Sequence, residues 1–234
     1  MTSKDKALTT ATPFAVTTYT PSEYLLPGER LSLSDLYRFK VPSGTSGAFW
    51  QLPSGEPAKT LHAVILHASR SRTYWIKTIE DGGGDSPPDC SSNDAIHGDG
   101  LYGFMTNEQG EFIVSNANPT GECKTCPMAA FGSGKGEAQA CREGVRMLLL
   151  LSNDPLPTVL NIPPASLGSF RNYRLHVLQP LSIQPYTTTT LISLLPTKSK
   201  SGGVAYYEVH FDLGEALTAP MQAAVDEIRG LFAV

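Results

Sequence analysis

The sequence predicts a β-rich α+β fold around a single core, and three observations lead there. Charged residues make up only 17% of the 234 positions while glycine (21) and proline (18) are abundant, a balance that favours short strands and turns over long charged helices. Apolar and β-branched runs of strand length fill 48–80 and 145–212. Between them, residues 81–141 are poor in aliphatic side chains, crowded with Gly, Pro, Asp, Asn and Ser, and hold all four cysteines. A stretch of about sixty residues is too long for an ordinary loop in a compact domain, so something other than an apolar core must order it.

Taken in order, residues 1–20 (MTSKDKALTTATPFAVTTYT) are Thr/Ser/Ala-rich and lack periodicity, which predicts an N-terminal arm. Residues 21–234 read as one domain carrying the insertion 81–141. LSLSDLYRF, with Ser32 or Ser34 as cap, fits a helical turn or a strand. AFWQL, LHAVILHASR and RTYWIKTI predict a curved antiparallel meander, with Pro53, Gly55 and Pro57 marking its first turn. VRMLLLL and PTVLNI flank the turn SNDPLP as a strand hairpin, although REGVRMLLLL also suits a helix. Pro163 and Pro164 open a helix that places Leu167, Phe170, Leu175 and Leu178 on one face, and Pro180 stops it.

TTTTLISLLPT and VAYYEVHFDL predict a hairpin around KSKSGG. The C-terminal segment predicts an amphipathic helix with Thr218 as N-cap, Pro220 in the first turn and Met221, Val225, Ile228 and Phe232 on one face. This element order fits a five-stranded barrel of the oligonucleotide-binding (OB) type, with a four-cysteine metal knuckle inserted midway and a C-terminal helix.

A net charge of −4 advertises no global basic field. No apolar run reaches membrane-span length and the N-terminus lacks the apolar core of a signal peptide, so a cytoplasmic protein without membrane partners is expected. In a reducing cytoplasm, clustered cysteines suggest metal ligands more than disulfides. The pattern is C-x32-C-x2-C-x14-C, on Cys90, Cys123, Cys126 and Cys141. A C-x2-C turn lets two thiolates reach one ion, and two distant cysteines complete a tetrahedron around Zn²⁺; the same thiolates suit a [4Fe–4S] cluster. Lys124 and Lys135 offset thiolate charge, and His97 is a substitute ligand. Four protein ligands leave no position for water, so the centre should support folding and not perform chemistry.

The catalytic motifs tested fail. In GSGKGE, Lys135 is followed by glycine where a phosphate loop needs Ser or Thr. His97 is followed by Gly98 and Asp99, and no proline precedes Cys123, against the zinc-deaminase pattern. Glu80 and Glu208 lack the lysine two positions on that iron–sulfur nucleases use. Asp94, Asp99, Asp154 and Asp212 read as turn formers or solvated residues, and no hydrolase elbow G-x-S-x-G occurs. No enzyme is therefore expected, a metal-dependent nuclease being the catalytic alternative.

For binding, Arg70, Arg72 and Tyr74 alternate onto one strand face, with Trp75 and Lys77 on the other. Cations for phosphates and rings for bases are what a single strand needs. Arg171, with Tyr173 and Arg174, forms a second group, and Lys198, with Lys200, Tyr206 and Tyr207, a third.

With PPDC, GECKTCPMAAFGS, GKGEAQAC and LLLLSNDPLPTVLNIPPASLGSFRNY, the chain resembles a group of largely uncharacterised proteins of phages and integrative elements over about residues 30–215. The resemblance implies a replication or recombination setting, single-stranded DNA as partner and, for a phage-encoded protein, the host-cell cytoplasm. The zinc-bearing OB protein that coats single strands in T-even phages has a His among its ligands, and this sequence departs from that pattern. The expectation is a metal-stabilised single-stranded nucleic-acid-binding protein working beside replication or recombination proteins. Its rival is a protein-interaction factor, an inhibitor or polymerase-associated adaptor, docking through the zinc segment.

Overall fold

The computed structural model describes residues 14–17, 32–42, 47–77, 87–198 and 205–232. In chain order its strands are β1 (Arg38–Phe39), β2 (Trp50–Gln51), β3 (Pro57–Ala58), β4 (Thr60–Tyr74), β5 (Cys90–Ser92), β6 (Asp99–Gly100), β7 (Phe104–Thr106), β8 (Phe112–Val114), β9 (Arg142–Leu151), β10 (Thr158–Ile162), β11 (Thr188–Lys198) and β12 (Ala205–Ala216). Helix α1 (Leu167–Asn172) runs into a π-helical turn, Tyr173–Leu178, and α2 (Ala219–Leu231) ends the described chain. β2 and β3 form a separate small sheet.

All other strands join one mixed sheet built on β4. One edge of β4 pairs with β9 from Ala63 to Thr73. Its other edge is shared: the first residues pair with β11, Thr60 to Val64, and the last with β5, Arg72 to Tyr74. From there the sheet continues through β10 to β1 on one side, to β12 beyond β11, and through β6 and β7 to β8. β1–β10 and β6–β7 are parallel and the remaining pairs antiparallel.

The meander is corrected to a single strand. LHAVILHASR and RTYWIKTI are not separated by a turn, because β9 pairs across the junction at Ser71 and a bulge at Leu66 absorbs the irregularity. The barrel is likewise not formed. β4 divides one edge between two partners, and among the described residues β1 pairs with β10 alone and β12 with β11 alone, so the sheet stays open. The β9–β10 and β11–β12 hairpins, the helix after Pro164 and the C-terminal helix with Thr218 at its N-cap form as the sequence predicts.

Both faces of the sheet are covered at the start of β4. Leu61, Ala63 and Ile65 pack with Met147, Leu149, Leu160, Ile192, Phe170, Tyr173 and Trp50 under α1. Val64 and Leu66 pack with Leu148, Leu150 and Val159 against Val225 and Ile228 of α2. Trp50 is fully buried, and its indole N–H donates to the Ile192 carbonyl at 3.1 Å. Tyr173 Oη shares a 2.8 Å hydrogen bond with Thr190. Among the described residues no helix is long and apolar enough to cross a membrane.

Because Trp50 joins the small sheet to the core through both its ring and its N–H, Trp50→Ala should cost about 3–5 kcal/mol. Urea unfolding with an unchanged m-value measures this; a loss below about 1 kcal/mol would mean that the small sheet is peripheral.

Candidate metal centre

Beyond the bulge the character of β4 changes from apolar to polar, and the inserted segment begins at its end. β5 pairs Cys90 with Tyr74, β6 returns antiparallel to it, and β7–β8 forms an outer hairpin. The insertion has little apolar core, and hydrogen bonds and tight turns order it. Asp94 Oδ1 accepts the Ile96 and His97 amides at 2.7 and 3.1 Å, and the Ile96 amide leads the effects holding this carboxylate below its usual range. Buried Asn118 donates to the carbonyls of Tyr102 and Glu122 at 2.7 and 3.1 Å. Gly103 lies so close to Gly98 that a Cβ would fall 2.1 Å from its carbonyl oxygen.

This scaffold carries Cys90, Cys123, Cys126 and Cys141 to one pocket, also lined by Arg72, Tyr74, Ser92, Tyr102 and Met128. The Cys123 amide donates to the Ile96 carbonyl at 2.7 Å and the Cys141 amide to the Met128 carbonyl at 2.8 Å, tying the knuckle and the last cysteine to the insertion. All four thiols are buried, and none is in a disulfide. Burial pushes up Cys90 and Cys123 and takes Cys141 to about 11. Negative charge on neighbouring cysteines adds to each of these shifts.

Three groups act in the opposite sense. The Tyr102 amide donates to the Cys90 sulfur, the Ser92 hydroxyl lies within hydrogen-bond reach of both Cys123 and Asp94, and the Arg72 guanidinium favours the thiolates of Cys123 and Cys141. Such donors stabilise ligating sulfur in metal–thiolate centres. Among the described residues, no three or more His, Cys, Asp or Glu side chains converge as a metal-holding group. The four sulfurs thus share a pocket without being drawn onto one point. His97 is exposed, with its ring against Phe104, and does not line the pocket.

The expected nucleic-acid contacts separate. Arg72 is only 11% exposed, bridges to Glu143 at 3.2 Å and donates to the Cys141 carbonyl at 3.4 Å. Tyr74 lines the cysteine pocket with its ring edge-on to Tyr102. Arg70 is exposed but also pairs with Glu143, at 2.7 Å. Trp75 and Lys77 follow at the end of β4, Arg171 is exposed on α1, and Lys198 is exposed at the end of β11. Ser193 pairs with Thr60, so Lys198 projects past the start of β4, fully the length of that strand from Lys77. Lys200 lies outside the described residues.

The opposite sheet face, the one covered by α2 at its near end, was not singled out in sequence. Register places Arg146 beside Ser69 and Asn161, and Arg142 beside Thr73. Arg38 lies beside Val159 on the same face. Past β5 the same alternation carries the face through Ser91 and Asp99 to Phe104 and Phe112. Phe112 is 81% exposed. The signal was available in REGVRM, where Arg142 and Arg146 share a face once the segment is read as a strand. No family model, curated protein or solved structure matches the chain.

If Arg72 supports thiolate ligands, Arg72→Met should speed metal transfer to a chromogenic chelator by about 10–100-fold. Transfer at the wild-type rate would confine Arg72 to its ion pair with Glu143.

Proposed function

We propose that the protein is a non-catalytic, metal-stabilised single-stranded nucleic-acid-binding protein of replication or recombination. The observation that carries this reading is the sheet face beyond α2, which combines arginines on β1 and β9, hydroxyl side chains along β4 and an exposed phenylalanine on β8. Arginine and hydroxyl groups suit phosphate oxygens, and an exposed ring offers a base a stacking surface. Arg70 and Arg72, on the other face, share the carboxylate of Glu143 and are less suited to the task.

The metal's role is architectural. Four free thiols from separated parts of the insertion line one pocket provided with thiolate-favouring donors, which supports a single Zn²⁺ on Cys90, Cys123, Cys126 and Cys141. Ion binding draws the sulfurs inward to Zn–S distances of about 2.3 Å and closes the shell to water. A [4Fe–4S] cluster on the same ligands would show itself by visible absorption, and zinc by one equivalent per chain in elemental analysis.

A second reading has its own support. The insertion also exposes Ile96, Leu101, Met105, Ile113 and Phe131, and its carboxylates from Asp89 to Glu137 outnumber Lys124 and Lys135. An apolar, acidic surface of this kind suits a protein partner, as an adaptor docking through the metal-held segment requires.

Fluorescence anisotropy of the metal-loaded chain with labelled oligothymidylate separates the two. Strand binding predicts salt-sensitive association that Phe112→Ala weakens by about 1–3 kcal/mol. Absence of binding at low salt would overturn the nucleic-acid reading and leave the adaptor. Chelation should expose residues 87–141 to protease while the β4–β9 core persists; resistance of the chelated insertion would remove the metal from the account.

A further inference from the structure

Arg146 is anomalous in the sheet. It sits half-buried on β9 between Ser69 and Asn161, and its Nε is buried with no hydrogen-bond partner among the described residues. A buried donor left unpaired costs about 1–3 kcal/mol, so its retention calls for an explanation. Burial first and the like charge of the Arg38 guanidinium second disfavour its charged form.

Among the described residues no carboxylate pairs with either arginine. The ion pairs found among the described residues engage Arg70, Arg72, Arg229 and His210, and neither Arg38 nor Arg146 is among them. Among the described residues Arg38 donates to a carbonyl, that of Leu33, at 3.2 Å. Glu143, one strand position from Arg142, points to the opposite face with Arg70 and Arg72. Two guanidiniums with no carboxylate partner among the described residues, facing hydroxyl and amide neighbours, make a site suited to an anion.

We propose that Arg38 and Arg146, with Ser69 and Asn161 beside them, bind a backbone phosphate of single-stranded nucleic acid. The assignment rests on the strand-binding reading and gives it a specific anchor. Arg142, four residues from Arg146 on the same strand and face, lies about 13 Å along β9, so it meets a later phosphate of an extended chain. The Ser71 hydroxyl falls between them on β4, and Thr73 lies opposite Arg142. Phe112 lies across the sheet, beyond β4 to β7, so an extended polyanion that follows β9 from Arg146 to Arg142 and then crosses those strands meets cations first and a ring last.

The test is anisotropy titration of the full metal-loaded chain with labelled oligothymidylate across a salt series. The variants are Arg38→Gln, Arg146→Gln and Arg146→Lys, with Lys59→Gln as a charge control. Each Gln variant should weaken binding about tenfold and lower the slope of log affinity against log salt by about 1, while Lys59→Gln leaves both unchanged. Arg146→Lys, which keeps the charge, should recover the slope. Because Arg38 is exposed at an edge strand, its variant stays informative if Arg146→Gln does not fold. Wild-type binding with unaltered affinity and slope in both Arg38→Gln and a folded Arg146→Gln would overturn this anchor alone. Failure of the wild type to bind at low salt would overturn the strand-binding reading with it.

Discussion

Strand β4 is the constraint on which the rest of the molecule depends. Over its first half both faces are apolar and covered, by α1 and its π-helical turn on one side and by α2 on the other. After the bulge at Leu66 the same strand, still paired with β9, carries Ser69, Arg70, Ser71, Arg72 and Thr73. Burial therefore fixes the near half, and the polar far half is held in register as its extension. That is how a sheet with a packed core comes to extend beyond both helices, and why a barrel does not close around it: the second edge of the far half of β4 pairs with the insertion and not with a returning core strand.

The insertion answers a different physical problem. With almost no aliphatic residues it cannot gain enough from apolar burial to offset its conformational entropy. Asn118 and Asp94 satisfy turn amides and carbonyls, and Gly98 and Gly103 permit close backbone approach. These are local devices. The link that reaches from Cys90 on β5 through the central knuckle to Cys141 at the start of β9 is the shared thiol pocket. Ion binding there would join both ends of the insertion to β4 and β9, and Arg72 connects that pocket to Glu143 and the sheet.

Much of the core was legible in sequence because its signals are strong and local. The β11–β12 hairpin follows from β-branched and aromatic runs around a glycine-containing loop, and α2 from the spacing of Met221, Val225, Ile228 and Phe232. The four cysteines announced themselves by clustering. Two things could not be read. The junction at Ser71 shows no turn residue, yet its continuity depends on β9, which pairs with it from more than seventy positions away. The grouping of cations depends on register: Arg70 and Arg72 look available in sequence, and Glu143, which occupies both, is brought opposite only by the β4–β9 pairing. The same pairing puts Arg146 beside Ser69, and β1 brings Arg38 to that face from across β10.

The most direct test of the account is ultraviolet crosslinking of oligothymidylate to the metal-loaded chain, followed by peptide mapping of the adducts. The sheet face beyond α2 predicts adducts on the β7–β8 peptide that carries Phe104 and Phe112, lost when Arg38 and Arg146 are both changed to Gln. Adducts confined to the α1 side, on residues such as Tyr173 or Tyr207, would contradict it.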